Sequence, residues 1–113
     1  MEDSKLMTRS IFDIQADFCK AMGNRSRLQI MHILREQSMR VTDIVEATQL
    51  HQSVVSRQLG ILRNIGVVDF QRQGNEMIYQ LTDENIGQLC DLVRKLLSDQ
   101  VDRQSRAFEE PQA

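Results

Sequence analysis

Residues 53 to 72 contain a set of side chains suited to reading a nucleic acid: Ser53, Ser56, Arg57, Arg63 and Arg72. Ser53, Ser56, Arg57, Gly60, Arg63 and Asn64 follow i, i+3, i+4, i+7, i+10, i+11, so a helix would gather them on one face. Val55, Leu59 and Leu62, at i, i+4, i+7, would then face a core. A helix lying in a DNA major groove needs short side chains at its N-terminal end for close approach, with long donors beside them for base edges and phosphates. The alternative is an ordinary solvated helix face, and the flanking elements have to discriminate. Few other groups are reactive: Cys19 and Cys90 are the only thiols, His32 and His51 the only imidazoles. Each cysteine also fits as apolar filler, because free cysteine is among the most buried residue types. His32, inside a dense apolar segment, suits a hydrogen-bonded structural role as well as a ligand's.

The chain has 113 residues, 41% hydrophobic and 27% charged, which is ordinary for one globular domain. No run approaches the ~18 apolar residues of a membrane span. The start, Met1-Glu2-Asp3-Ser4-Lys5, lacks a signal-peptide profile, so a cytoplasmic protein with no membrane partner is expected. Two cysteines without a C-x-x-C motif exclude a disulfide scaffold and a zinc ribbon. With no Trp, one Tyr and four Phe, the core must be small and aliphatic, which predicts a homodimer that completes it. The net charge of -2 hides an uneven distribution: residues 52–73 carry Arg57, Arg63 and Arg72 against Asp69 alone, while residues 83–113 are acid-rich. A local basic patch is what phosphate contact requires, whatever the overall sum.

Ile11, Ile14, Phe18 and Met22 predict an amphipathic helix over about 9–22, closed by Gly23. Asn24 then caps a central buried helix over about 25–36, dense in Leu28, Ile30, Met31, Ile33 and Leu34. Thr42 is the expected cap of a short helix over 43–48, with Gln49-Leu50-His51 as the turn into the two-faced helix of 52–65. After Gly66 the period changes to two: Val68, Phe70 and Arg72 alternate with Asp69 and Gln71, then Met77, Tyr79 and Leu81 with Ile78 and Gln80, a β-hairpin whose tip contains Gly74-Asn75. Thr82 or Asp83 caps a last helix whose Ile86, Leu89, Cys90, Val93, Leu96 and Leu97 form a wide apolar stripe. Residues 1–8 are expected to be a flexible N-terminus, 9–102 the domain, and the polar, aperiodic 103–113 a disordered tail. The fold class is therefore mainly α with a β-hairpin wing, a winged helix-turn-helix dimerising through its first and last helices.

Two blocks of sequence carry a family resemblance. Phe18-Cys19-Lys20-Ala21-Met22-Gly23-Asn24-Arg25-Ser26-Arg27-Leu28 resembles the opening of the ArsR/SmtB family of bacterial repressors. Leu50-His51-Gln52-Ser53-Val54-Val55-Ser56-Arg57-Gln58-Leu59, followed by Leu62-Arg63, Gly66-Val67-Val68, Arg72, Gly74 and Tyr79-Gln80-Leu81, is similar to that family's recognition helix and wing. The likeness runs from about residue 15 to 97. It implies a homodimer on a palindromic double-stranded DNA operator, released by an inducer of unknown identity. It maps base and phosphate reading onto Gln52, Ser53, Ser56 and Arg57, with Arg72 in the wing. Arg57 stands where the family often has Gln, and Gln58 where it often has His, differences that bear on which bases are read. His51 replaces the usual capping Ser, with a phosphate contact as its other role.

The family's sensor sites are not reproduced. At its zinc site only Asp83 and Asp99 remain, with Asn85 and Leu96 in place of histidines. Its thiolate motif is replaced by Arg40-Val41-Thr42-Asp43, and the positions of its persulfide-sensing pair hold His32 and about Ser98. No metal site and no cofactor are expected. Cys19 and Cys90 are left as a candidate thiol sensor. Catalysis is not expected, because a thiol enzyme needs Cys beside His with an orienting acid, and neither cysteine has such a setting. The remaining alternative is a winged-helix protein-interaction module without nucleic-acid binding, which a large apolar patch on the polar helix face would favour.

Overall fold

The computed structural model describes residues 9–109. The first helix, α1 (Ile11–Ala21), starts at a capping box in which Ser10 Oγ accepts from the Asp13 amide and Asp13 accepts from the Ser10 amide, both at 3.2 Å. It buries no residue of its own and touches the core through Phe18. Helix α2 (Arg25–Leu34) begins at Asn24, whose side chain accepts from the Arg27 amide at 3.0 Å, as its sequence position predicted. Ile30, Met31 and Leu34 make it the centre of the core.

A two-residue strand β1 (Met39–Arg40) then leads directly into α3 (Val41–Thr48), and α4 (Gln52–Asn64) follows after the turn. Arg40, not Thr42, precedes the first turn of α3. Asp43 accepts from the Arg40 amide at 3.4 Å and from its Nε at 3.1 Å, a pairing that starts the helix one residue ahead of Thr42. At the C-terminal end of α3, Gln49 adopts φ 61°, the left-handed turn that redirects the chain into α4.

Strands β2 (Val68–Gln73) and β3 (Glu76–Leu81) form the predicted hairpin, paired from Val68 with Leu81 out to Gln73 with Glu76. Gly74 takes φ 62° at the first turn position, the place a type II′ turn reserves for glycine. Sequence periodicity missed β1, which pairs Met39 with Tyr79 and Arg40 with Ile78, so the wing is a three-stranded sheet in the order β1-β3-β2. Two residues are too few to show an alternation.

The last helix, α5 (Glu84–Glu109), is capped by Asp83, whose Oδ1 accepts from the Asn85 amide at 2.8 Å. It crosses the end of α2 at Gly87, where an added Cβ would lie 2.9 Å from Arg35 Cβ, so only glycine allows that approach. Arg35 reaches Asp91 at 3.3 Å and ties the two helices at the surface, while Arg94 holds Asp91 from within α5 at 2.8 Å. The helix runs to Glu109, which corrects the expected tail over 103–109. Arg103-Gln104-Ser105-Arg106-Ala107-Phe108-Glu109 has no apolar stripe but consists largely of good helix formers, and Pro111 is the first breaker. The expectations for 1–8 and 110–113 concern residues outside the described ones. Among the described residues no helix is long and apolar enough to cross a membrane.

Candidate nucleic-acid interface

The two faces of α4 separate as its spacing requires. Val55, Leu59 and Leu62 are buried with Ile30, Met31, Ile44, Val67, Val68 and Tyr79 in one cluster. Gln52, Ser53, Ser56, Arg57, Gly60, Arg63 and Asn64 are exposed on the other side. His51 is the N-cap: its Nδ1 accepts from the Ser53 amide at 3.4 Å and lies 3.1 Å from Ser53 Oγ. A neutral ring with its proton on Nε2 satisfies that geometry.

Arg72 is exposed one pair below the hairpin tip, opposite Met77. Arg63 sits differently from the other polar residues of α4. Its guanidinium carbon lies 4.3 Å from the centre of the Phe70 ring, and Phe70 in turn packs on Tyr79 at 5.4 Å between ring centres. This stack fastens the C-terminal end of α4 to the wing, so helix and hairpin present their basic groups as one surface.

Gln58 requires a correction. It is only 4% exposed, and its Oε1 accepts from Arg27 Nη1 at 2.8 Å. Its side chain points into the protein, so it touches no base itself. The signal was in the sequence: Gln58 lies three residues after Val55 and four before Leu62, on the core stripe.

Helices α1, α2 and α5 enclose an open groove of about 840 Å³. Phe18, Met22, Leu28, Leu89, Val93 and Leu97 supply its apolar walls, and Cys19, Cys90 and His32 all line it. The structure thus brings both candidate sensor thiols to one cavity, Cys19 exposed and Cys90 half-buried. Burial pushes the Cys90 thiol above its ordinary range, with Arg94 opposing the shift. Partial desolvation, followed by Arg94 and Arg35, holds the His32 imidazole below its own. Among the described residues of one protomer, no three His, Cys, Asp or Glu side chains converge as metal ligands would.

Residues 24–69 match the model of the arsR family of bacterial regulatory proteins. NmtR, an HTH-type transcriptional regulator of Mycobacterium tuberculosis, is 42% identical over 76 residues, which cover 67% of this chain and 63% of that regulator's length. Rv0081, an uncharacterized HTH-type transcriptional regulator of the same species, is 34% identical over 89 residues, 78% of each chain. Its crystal structure superposes with a TM-score of 0.76 at 30% identity, covering 87% of this chain and 99% of that one. The solution structure of the homodimeric winged helix-turn-helix DNA-binding domain Mb0332 from Mycobacterium bovis gives a TM-score of 0.74 at 27% identity, covering 85% of this chain and 94% of that one. The family match runs from the cap of α2 through α4 to the start of β2, the likeness to Rv0081 extends over most of the chain, and the chain belongs to the ArsR family of bacterial regulatory proteins.

Proposed function

We propose that the protein is a homodimeric, sequence-specific transcriptional repressor of the cytoplasm, released from its operator by an inducer. In this reading α4 enters the major groove with Gln52, Ser53, Ser56 and Arg57 at base edges, while Arg72 and the stacked Arg63 meet the backbone. The observation that carries it is the exposed polar face of α4, continuous with the wing. Gly60 supports it independently. A glycine inside a helix costs about 0.5–1 kcal/mol relative to alanine, yet nothing lies within 4 Å of where its Cβ would be. Internal packing does not demand that small residue, whereas a duplex approaching closely would. The interaction-module alternative is disfavoured by the large apolar side chains. The exposed ones lie on α1, α2 and α5 or at Ile65, and none is on α4 itself among the described residues.

Arg57→Ala should weaken operator binding by about 1–3 kcal/mol with little change on random duplex. Arg72→Ala should weaken both and flatten the salt dependence by about one unit of slope. Titrations of operator and random duplex at several salt concentrations check this; unchanged affinity in both variants removes the assignment.

The same reading makes Cys19 and Cys90 the inducer site, supported by their shared groove. Peroxide would take two electrons and two protons from the thiols, leaving a disulfide and water; arsenite would bridge them as thiolates. Cys19→Ser and Cys90→Ser proteins are expected to bind operator normally when reduced and to ignore arsenite, peroxide and polysulfide, each of which releases the wild type. The raised Cys90 thiol predicts a response that quickens with pH, because the thiolate fraction grows. A wild type that ignores all three reagents rules the pair out as a sensor.

A further inference from the structure

Gln58 is the one buried polar residue among the described residues, and its partner, Arg27, also bonds the end of α1. Arg27 stands in the first turn of α2, its amide held by Asn24. Its Nε donates to the Ala21 carbonyl at the end of α1 (2.6 Å), and its Nη1 donates to Gln58 Oε1 on α4 (2.8 Å). Met22, Gly23, Asn24 and Arg25, the turn between α1 and α2, form a wall of the apolar groove. One rigid guanidinium thus spans from the carbonyl just before that wall to the inner face of the helix carrying Ser53, Ser56 and Arg57.

We propose that Arg27 is a positioning residue: through Gln58 it fixes the placement of α4 relative to the groove wall, so that a displacement of the wall is passed to the DNA-facing helix. The physical basis is the fork of the guanidinium. Its donors are coplanar and fixed in angle, so bonding two partners sets their relative position, which a lysine's point charge would not do. The partial burial of the bond adds to this, because a Gln58 amide left without Arg27 loses a partner that water cannot readily replace. No residue of α1 is fully buried, its hold on the core is the packing of Phe18 and Met22 at its C-terminal end, and Arg27 is its polar tie to α4.

The test has two arms, and only the first rests on the operator reading. Gln58→Met keeps the core volume but removes the acceptor; Gln58→Glu keeps an acceptor. Gln58→Met should melt close to the wild type yet bind operator about tenfold more weakly, with random duplex unaffected, and Gln58→Glu should bind as the wild type does. In the second arm, a bulky maleimide is attached to Cys19 of the Cys90→Ser protein, and the amide resonances of residues 52–57 are followed. They should move in that protein and in its Gln58→Glu derivative, and stay still when Gln58→Met is added. Arg27→Lys, which keeps the charge but not the fork, should behave like Gln58→Met, and it carries both arms should Gln58→Met fail to fold. Operator selectivity intact in Gln58→Met, or α4 resonances that respond equally with and without the link, would overturn the proposal. If the wild type prefers no duplex, the operator reading fails and the labelling arm decides the linkage alone.

Discussion

Leu89→Asp and Val93→Asp should each convert the protein to a monomer that has lost its operator. Helix α5 spans 26 residues, a rod of about 39 Å at 1.5 Å per residue, and its apolar stripe is uncovered in the single chain. Leu89 and Val93 are 47% and 49% exposed, Leu92, Leu96, Leu97 and Val101 continue the stripe, and Ile11, Phe12 and Ile14 of α1 are exposed as well. An uncovered stripe of this length is one half of a larger core. In a two-fold dimer each substitution occurs twice, and burying an unpaired carboxylate costs several kcal/mol per site. The monomer then has one half-site only and forgoes the effective concentration of the second, a loss of about 10²–10⁴ in operator affinity. Sedimentation velocity paired with operator titration checks both steps, and a wild-type protein that is monomeric at micromolar concentration while still gripping its operator contradicts them.

Leu59→Ala should have the largest effect on folding itself, about 2–5 kcal/mol from a total of about 5–15 kcal/mol for a domain of this size. Leu59 is buried between Val55 and Leu62 on the inner stripe of α4, and the cluster there joins α2, α3 and the wing. Shortening it leaves a cavity where three elements meet, which the surrounding helices can fill only by moving. Ser56→Ala, on the exposed face of the same helix, should stay within about 0.5 kcal/mol of the wild type. Urea unfolding measures both: the midpoint of Leu59→Ala drops while the slope is unchanged. A loss below about 1 kcal/mol would mean that α4 is not anchored by this residue.

These two expected results draw on different amounts of sequence information. The inner and outer faces of α4, the Asn24 cap, a cap of α5 at Thr82 or Asp83 and the Gly74-Asn75 hairpin were legible because each depends on residues within a turn or two of one another, where backbone geometry fixes which side chains share a face. The apolar stripe of α5 was legible for the same reason, and so was the prediction that another surface must cover it. Its extension to Glu109 was not, because a polar run without periodicity has the same appearance whether it is helical or unstructured.

What only the tertiary structure decided are the pairings between distant positions. Strand β1 exists because β3 offers Met39 and Arg40 a free edge, and two residues leave no trace of that in their own composition. Arg63 was expected at the DNA, and its stack on Phe70 arises from the angle at which α4 meets the wing. Cys19 and Cys90 share a groove because α5 packs on α2 and α1 borders the same space, which no local spacing encodes. Gln58 is the sharpest case: the core stripe of α4 already contained its position, but a buried amide is stable only with a partner, and that partner, Arg27, lies 31 residues earlier in the chain. Local periodicity fixes which way a side chain points, whereas its partner is set by how the helices pack.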